Sequence, residues 1–311
     1  MTDSPLVSVY LPTRNRAEQL PRAIRSVLGQ DYPELELLVV DDASTDRTSA
    51  VLARFAASDS RVRIFRQPAS LGAPAARNRA IREARGEFLT GIDDDDLMLP
   101  TRLSSLLDAY QDRYSLVCSA LYVVSANRRW FAVRGGRRAE IGLERLLVRN
   151  EVGNQALMRT DRMREIGMFD ESQPAWQDYD LWTRLVARHG PALRLAEPTY
   201  VFCASAGPGT ITNSGAAIDG AVRYYQRYRH LMGSEQHKGQ RLMQVSVERG
   251  RLTLAAAREC WSGATWRETL GYWVRSNLPW TTDFLERYRR MRRPLERLPA
   301  SALALLADAP P

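Results

Sequence analysis

Asp93, Asp94, Asp95 and Asp96 stand consecutively behind the apolar stretch Phe88-Leu89-Thr90-Gly91-Ile92. Four adjacent carboxylates repel one another and resist burial unless something positive joins them, and oxygen-rich clusters suit hard divalent cations such as Mg²⁺ or Mn²⁺. A solvated acidic turn is the commoner fate of a charge run. This run, however, interrupts a strand-like segment and is followed by Leu97-Met98-Leu99-Pro100, which favours a metal site. A cation held there bridges the oxygens of a diphosphate leaving group, as Lewis acid and template together. Displacement by a hydroxyl then needs a second carboxylate, set apart from the metal, to take the proton. The segment Trp176-Gln177-Asp178-Tyr179-Asp180-Leu181-Trp182 is the best source. Asp178 and Asp180 are too close in sequence to share one helical face. Either one is catalytic while the other caps a helix, or both simply cap.

The elements that must position these groups alternate. Val7, Val9 and Leu11 read as a strand ending at Pro12, and Leu20, Ile24, Val27 and Leu28 recur at helical spacing up to Gly29. Leu35 to Val40 is a strand buried on both faces, followed at once by Asp41-Asp42 and by a helix that Ser44 or Thr45 can cap. A strand at Val62 to Phe65, a helix at Pro74 to Ala84 and a strand at Phe88 to Ile92 complete β-α-β-α-β-α-β. Such alternation predicts an α/β fold with a mostly parallel sheet flanked by helices. Both acidic clusters then fall at carboxyl ends of strands, where open α/β sheets bind ligands. Further on, a helix is expected at Leu103 to Tyr110, a strand at Leu116 to Val124 and a helix at Asp180 to His189. The breaker cluster Gly207-Pro208-Gly209 marks a boundary between a catalytic unit, 1–205, and a mainly helical region, 206–311. The latter reads as helices over Ala217 to Met232, Gly239 to Ser262 and Trp266 to Asn277.

No window approaches 18 uninterrupted apolar residues, and MTDSPLVSVY has neither a basic nor an apolar leader segment, which together predict a cytosolic protein. Cys118, Cys203 and Cys260 lack paired spacing and are expected as reduced core residues; His189, His230 and His237 show no metal-ligand spacing. Residues 206–311 hold 16 Lys and Arg against 9 Asp and Glu, so they carry +7 of the net +8. That asymmetry suggests an anionic partner for the tail, a membrane surface or a nucleic acid. No helix-turn-helix, zinc or single-strand-binding signature accompanies the charge, which argues against nucleic acid. GxSxG and GxxxxGK[ST] are both missing, which excludes the serine-hydrolase and P-loop readings.

VSVYLPTRNRAEQLPRAIRSVLGQ, LLVVDDASTDRT, LGAPAARNRAIREARGEFLTGIDDDD and EIGMFDESQPAWQDYDLWTRL follow one another in order. Over roughly residues 5–190 the chain resembles the family 2 glycosyltransferases of GT-A (Rossmann-like) fold, in their bacterial, non-processive form. The resemblance implies a loop of Pro12, Thr13, Asn15 and Arg16 approaching the nucleotide, and Asp42, with Asp41, accepting from the imide N–H of a uracil or thymine. It implies Arg77 near the base and diphosphate, although a lone helical arginine also serves as a surface ion-pair partner. Asp93-Asp94-Asp95 matches the DxD signature, with Asp93 and Asp94 toward the nucleotide sugar and Asp95 on Mn²⁺ or Mg²⁺. Asp178 matches the catalytic base, with Gln177 where many members have Glu. Gly153-Asn154-Gln155 and Glu165 to Glu171 resemble acceptor-side loops. No QxxRW element follows the base, so the implied reaction is inverting transfer of a single sugar, from a UDP- or dTDP-sugar, to a cell-surface glycan or lipid-linked acceptor. Two other classes stay open: a silent GT-A-like binding protein, and a protein acting on anionic surfaces through its tail.

In that tail Phe284, Leu285, Tyr288, Met291 and Leu295 recur at helical spacing among Arg287, Arg289, Arg290, Arg292 and Arg293. Such a helix suits an anionic membrane and a peripheral place on its inner face. Pro294 and Pro299 limit it to a few turns, which favours packing on the catalytic domain with the arginines solvated.

Overall fold

The computed structural model describes residues 4–125, 130–204, 215–248, 250–278 and 280–307; the Gly207-Pro208-Gly209 boundary lies outside them. Continuous apolar runs make strands covered on both faces. Val7–Thr13 (β1) and Leu35–Asp41 (β2) are buried at every position, and Val62–Arg66 (β3) and Phe88–Gly91 (β4) join them. β1 runs parallel to both β2 and β4, and β3 parallel to β2. Only the edge strand Met158–Arg159 (β9) is antiparallel, giving the order β3-β2-β1-β4-β9. The crossovers are Leu20–Leu28 (α1), Thr48–Ser58 (α2) and Ala73–Glu83 (α3). The chain leaves β1 for β2 on one side and later adds β4 on the other. The carboxyl ends of β1, β2 and β4 therefore open on one crevice, with Thr13 beside Asp41 in register.

A second sheet backs this rim. Leu97–Met98 (β5), Val117–Val124 (β6), Phe131–Arg134 (β7), Ala139–Ile141 (β8) and Ala192–Cys203 (β10) are ordered β5-β10-β6-β7, with β8 also on β10. β10 is parallel to β6 and antiparallel to β5 and β8. No periodicity announced β10, because its register shifts on either side of Pro198 break the alternation. Among the shorter helices are Arg102–Asp108 (α4), Leu143–Val148 (α5) and Thr160–Glu165 (α6). Gln177–His189 (α7) starts three residues before the expected Asp180, so Asp178 sits in its first turn.

Two capping expectations fail. Neither Ser44 nor Thr45 caps α2, which begins later, at Thr48, after an Arg47 cap without a side-chain bond; Ser44 Oγ instead accepts from the Asn15 N–H. Neither Asp178 nor Asp180 caps α7, whose cap position is Trp176 in left-handed backbone, φ 62°.

The C-terminal region is helical: Gly215–Tyr228 (α8), Ser234–Glu248 (α9), Leu254–Cys260 (α10), Trp266–Asn277 (α11), Trp280–Arg292 (α12) and Ala300–Ala307 (α13). The helix expected across 239–262 is two, α9 and α10, with Thr253 accepting from Ala256 N–H to start the second. Cys118 and Cys260 are buried thiols. The region is less an appendage than the sequence suggested. Tyr224 and Tyr228 of α8 share a core with Tyr179 and Trp182 of α7, and Leu298, Ala302 and Leu306 pack on Leu97, Leu99 and Val201. Only Leu242, Val245, Leu252, Ala257 and Cys260 form a small core apart. The packing expected for the stripe holds only in part: Leu285 and Leu295 are half-buried, Leu295 against the core of Leu97, Leu99 and Val201, whereas Phe284, Tyr288 and Met291 are exposed.

α9 approaches α5 so closely that a Cβ on Gly239 would lie 2.4 Å from the Val148 carbonyl oxygen. Gly239→Ala is expected to lower stability by about 1–3 kcal/mol through forced displacement of α9, read as an earlier urea midpoint with transitions of α9 and the catalytic core coinciding.

Candidate active site

Side chains zip the loops after β1 and β2 together. Asn15 takes left-handed backbone, φ 52°, which asparagine tolerates. Its Oδ1 accepts from Thr45 N–H at 2.8 Å, and the Arg16 N–H donates to Thr48 Oγ1 at 3.0 Å. Pro12 lies inside β1 opposite Val40. Asp41 accepts from Ser44 N–H and Ser49 Oγ and faces Arg66 at 3.3 Å. Asp42 accepts four bonds: from Gln67 Nε2 (2.6 Å), Ser70 Oγ (2.8 Å), Leu71 N–H (2.8 Å) and Gly72 N–H (3.0 Å). These fill the roughly four acceptor sites of a carboxylate, so Asp42 holds the 67–72 loop against the rim.

The aspartate run turns off the end of β4, and each member has a different surrounding. Asp93 accepts from Arg77 (2.9 Å), Asn154 (3.2 Å) and Gln155 (3.3 Å). Asp94 accepts from Thr13 Oγ1 at 2.8 Å and lies 3.6 Å from Arg16. Asp96 is sealed, held by Tyr200 Oη (2.8 Å), the Cys203 N–H (2.8 Å) and Asn154 (3.2 Å), so it braces β10. The Asp95 carboxylate is without a hydrogen bond among the described residues; only its backbone carbonyl is used, by Arg22 at 2.9 Å.

Burial, then the charge of Asp95 and Asp93 against the hydrogen bond from Thr13, pushes Asp94 up to about 7. Burial and then Asp93 raise Asp95 as well. The run thus holds more negative charge than its neighbours offset. All its donors are hard oxygens, so the residues fit a divalent cation. Among the described residues no group of three or more carboxylate, imidazole or thiol ligands is assembled for a metal. With so few protein ligands gathered, a divalent cation would be held by only one or two of these carboxylates, a protein-ligand count that suits Mg²⁺.

Arg77 of α3 joins the run to α7. It is buried rather than a surface partner, 2.9 Å from Asp93, 3.8 Å from Asp178 Oδ1, and bonded to Gln177 Oε1 at 3.2 Å. Burial opposes its charge, but Asp178 and Asp93 outweigh that and hold the guanidinium protonated. Asp178 keeps 24% of its side chain open while its Oδ1 is enclosed without a hydrogen bond. Burial raises it to about 6, Arg77 opposing. Asp180, two residues on, is spent on structure: it accepts from Arg184 (2.8 Å), Arg227 (2.9 Å) and Tyr228 Oη (2.7 Å).

The model of the family described as glycosyl transferase family 2 matches residues 8–167. The chain belongs to glycosyltransferase family 2. It is 32% identical over 262 residues to the putative colanic acid biosynthesis glycosyl transferase WcaA of Escherichia coli, covering 81% of this chain and 92% of that one. Over 114 residues it is 38% identical to the GalNAc(5)-diNAcBac-PP-undecaprenol beta-1,3-glucosyltransferase of Campylobacter jejuni, a match to 36% of this chain and 37% of that one. Among solved structures, S. aureus TarS 1-349 in complex with UDP-GlcNAc superposes with TM-score 0.59 at 18% identity, covering 87% and 81%. The mannosyltransferase PcManGT from Pyrobaculum calidifontis, in complex with GDP-Man and Mn²⁺, gives 0.59 at 19% identity, covering 99% and 88%. The fold of this glycosyltransferase is accordingly GT-A.

Sequence reasoning missed several members of the site. Asn154 and Gln155, read as acceptor-side residues, reach the aspartate run. Tyr10 Oη donates to Gln155 Oε1 at 3.1 Å; a polar tip in the apolar strand β1 was the available signal. Gly91 belongs here too, because a Cβ there would meet the Tyr10 ring at 2.1 Å. The enzyme's two neighbouring aspartates should separate on stability. Asp180→Ala leaves the Tyr228 hydroxyl and the Arg184 Nε without an acceptor and is expected to cost about 1–3 kcal/mol, whereas Asp178→Asn leaves the urea midpoint nearly unchanged.

Proposed function

We propose that the glycosyltransferase is inverting and metal-dependent, and that it moves one sugar from a nucleoside diphosphate sugar onto a hydroxyl of a cell-surface glycan or lipid-linked acceptor. The observation that carries this is Asp178: a partly open carboxylate raised to about 6 and coupled through Arg77 to the aspartate run. The acceptor oxygen attacks the anomeric carbon while Asp178 takes its proton; the bond from that carbon to the diphosphate breaks, and the nucleoside diphosphate leaves. Arg77 keeps the base oriented. Asp95, with Asp93 and Asp94 beside it, would hold Mg²⁺ or Mn²⁺, which when bound supplies charge neutralisation for the departing diphosphate. The zipped loops of Pro12, Thr13, Asn15 and Arg16 and the wall made by Asp41 and Asp42 would line the nucleotide side; UDP and dTDP are the donor nucleotides proposed, although the Asp42 carboxylate is already engaged by the 67–72 loop.

Several findings support the acceptor class. The relatives include a colanic acid biosynthesis enzyme and a glucosyltransferase named for an undecaprenol-linked substrate. As part of the same reading, transfer is proposed to occur from the cytosolic side, on or near the inner face of the membrane. Among the described residues no helix is long and apolar enough to cross a membrane.

Asp178→Asn is expected to reduce kcat by about 10²–10⁴-fold while leaving nucleotide affinity nearly intact. In the wild type log kcat/KM should rise with pH through about 6 and then level, because the base works only when ionised; a flat profile across that range removes Asp178 from the role. Calorimetry with UDP, dTDP, GDP and CDP, each with Mn²⁺ and with EDTA, tests donor and metal together. Metal-dependent binding of UDP or dTDP that Asp95→Ala weakens is the expected result. Full transfer activity in both variants would refute the site.

A further inference from the structure

Among the described residues, all of the large apolar side chains that stand exposed, apart from Leu71 and Phe202, lie in the C-terminal helical region. That region also carries nearly all of the net positive charge. The two properties meet on α12. Trp280, Phe284, Tyr288 and Met291 recur at i, i+4, i+8 and i+11, which puts them on one helical face. They are 66%, 61%, 43% and 75% exposed. Between α10 and α11 the same region opens an apolar groove of ≈ 270 Å³, lined by Leu254, Trp261, Leu270 and Trp273 with Arg258 beside them.

Arginines stand against the aromatics. The Arg292 guanidinium lies 5.5 Å from the Tyr288 ring and that of Arg267 lies 5.0 Å from Trp266. Their stems lie along the rings, and among the described residues neither guanidinium is paired with a carboxylate, which leaves the charge for an anion. Water is a poor solvent for such a face, and an anionic partner without an apolar layer would leave Phe284 and Met291 with nothing to contact. A nucleic acid satisfies the charge alone. A bilayer satisfies both, with tryptophan and tyrosine at the headgroup boundary, phenylalanine and methionine below it, and guanidinium groups at phosphate depth.

We propose that α12, with the groove between α10 and α11, docks on an anionic phospholipid surface. The helix lies along the membrane, and among the described residues no helix is long and apolar enough to cross it. Nothing in this depends on which sugar is transferred or whether transfer occurs. Its test reads lipid binding alone, so its failure and that of the transferase reading are distinguishable.

The experiment is co-sedimentation of the full chain with vesicles of phosphatidylcholine, with and without phosphatidylglycerol, at several salt concentrations. Binding is expected only with phosphatidylglycerol and should weaken as salt rises. The variant carrying Trp280→Ser, Phe284→Ser and Met291→Ser should lose at least about tenfold in affinity through its lost apolar insertion. These side chains are exposed, so its circular dichroism and thermal unfolding should match the wild type. Arg287→Gln and Arg292→Gln should each lower affinity by about fivefold. Equal binding to neutral and anionic vesicles, undiminished binding by the triple variant, or full competition by a duplex oligonucleotide would overturn the proposal.

Discussion

The buried Arg77 guanidinium is the constraint on which the site depends. It lies between Asp93 and Asp178, on elements far apart in the chain, and neither carboxylate would tolerate its position as readily without it. One cation shared between two carboxylates leaves excess negative charge, and that excess has two useful consequences. Asp178 retains a proton affinity suited to accepting one near neutral pH. Asp94 and Asp95 are held above the usual carboxylate range by burial and by their neighbouring aspartates, against the pull of Arg16. Gln177, standing where many family members have Glu, accepts from the same guanidinium through its amide oxygen. A neutral side chain there orients Arg77 without adding a third negative charge around it.

The rest of the fold fixes the partners of that arginine. The reversal of strand order at β1 brings the ends of β1, β2 and β4 together. β10, from the second sheet, clamps the far side of the aspartate run by placing Tyr200 and the Cys203 N–H on Asp96. On the other flank, Trp176 takes left-handed backbone two residues before Asp178. Such backbone costs on the order of 1–3 kcal/mol and persists because the indole is boxed by Tyr179 and Tyr224, at ring separations of 5.7 and 5.9 Å. Asp180 and its three donors then fasten the helix to α8. The Asp178 carboxylate is thus aimed by a helix whose start is strained and whose first turns are anchored.

That anchoring changes how the C-terminal third is understood. α8 and α9 complete the core behind α7, and the segment from Leu298 onward covers the strand that follows the aspartate run. The segment from α10 to α12 lies between these two attachments and, among the described residues, carries the exposed aromatic residues other than Phe202. The catalytic core and the exposed apolar surface are therefore parts of one continuous packing arrangement. An interaction at α12 is well placed to orient the whole enzyme relative to a surface.

The sequence by itself determined the alternation of β1 to β4 with α1 to α3, the GT-A family resemblance, and the aspartates at strand ends, because apolar periodicity and turn residues act over short distances. It also singled out Asp178 and Arg77 through motif resemblance. The residue pattern without that resemblance left Asp178 and Asp180 undivided, gave no sign that Asn154 and Gln155 reach the aspartate run, omitted β10 and favoured a packed α12 stripe. Each of those was decided by contacts between residues tens of positions apart. Which aspartate meets Arg77 and which meets Arg184 and Tyr228 depends on how α7 sits against α3 and α8. Whether an apolar stripe is covered depends on whether another element reaches it. Burial and the sharing of charge between distant groups are properties of the packed chain, and the local pattern of residues does not encode them.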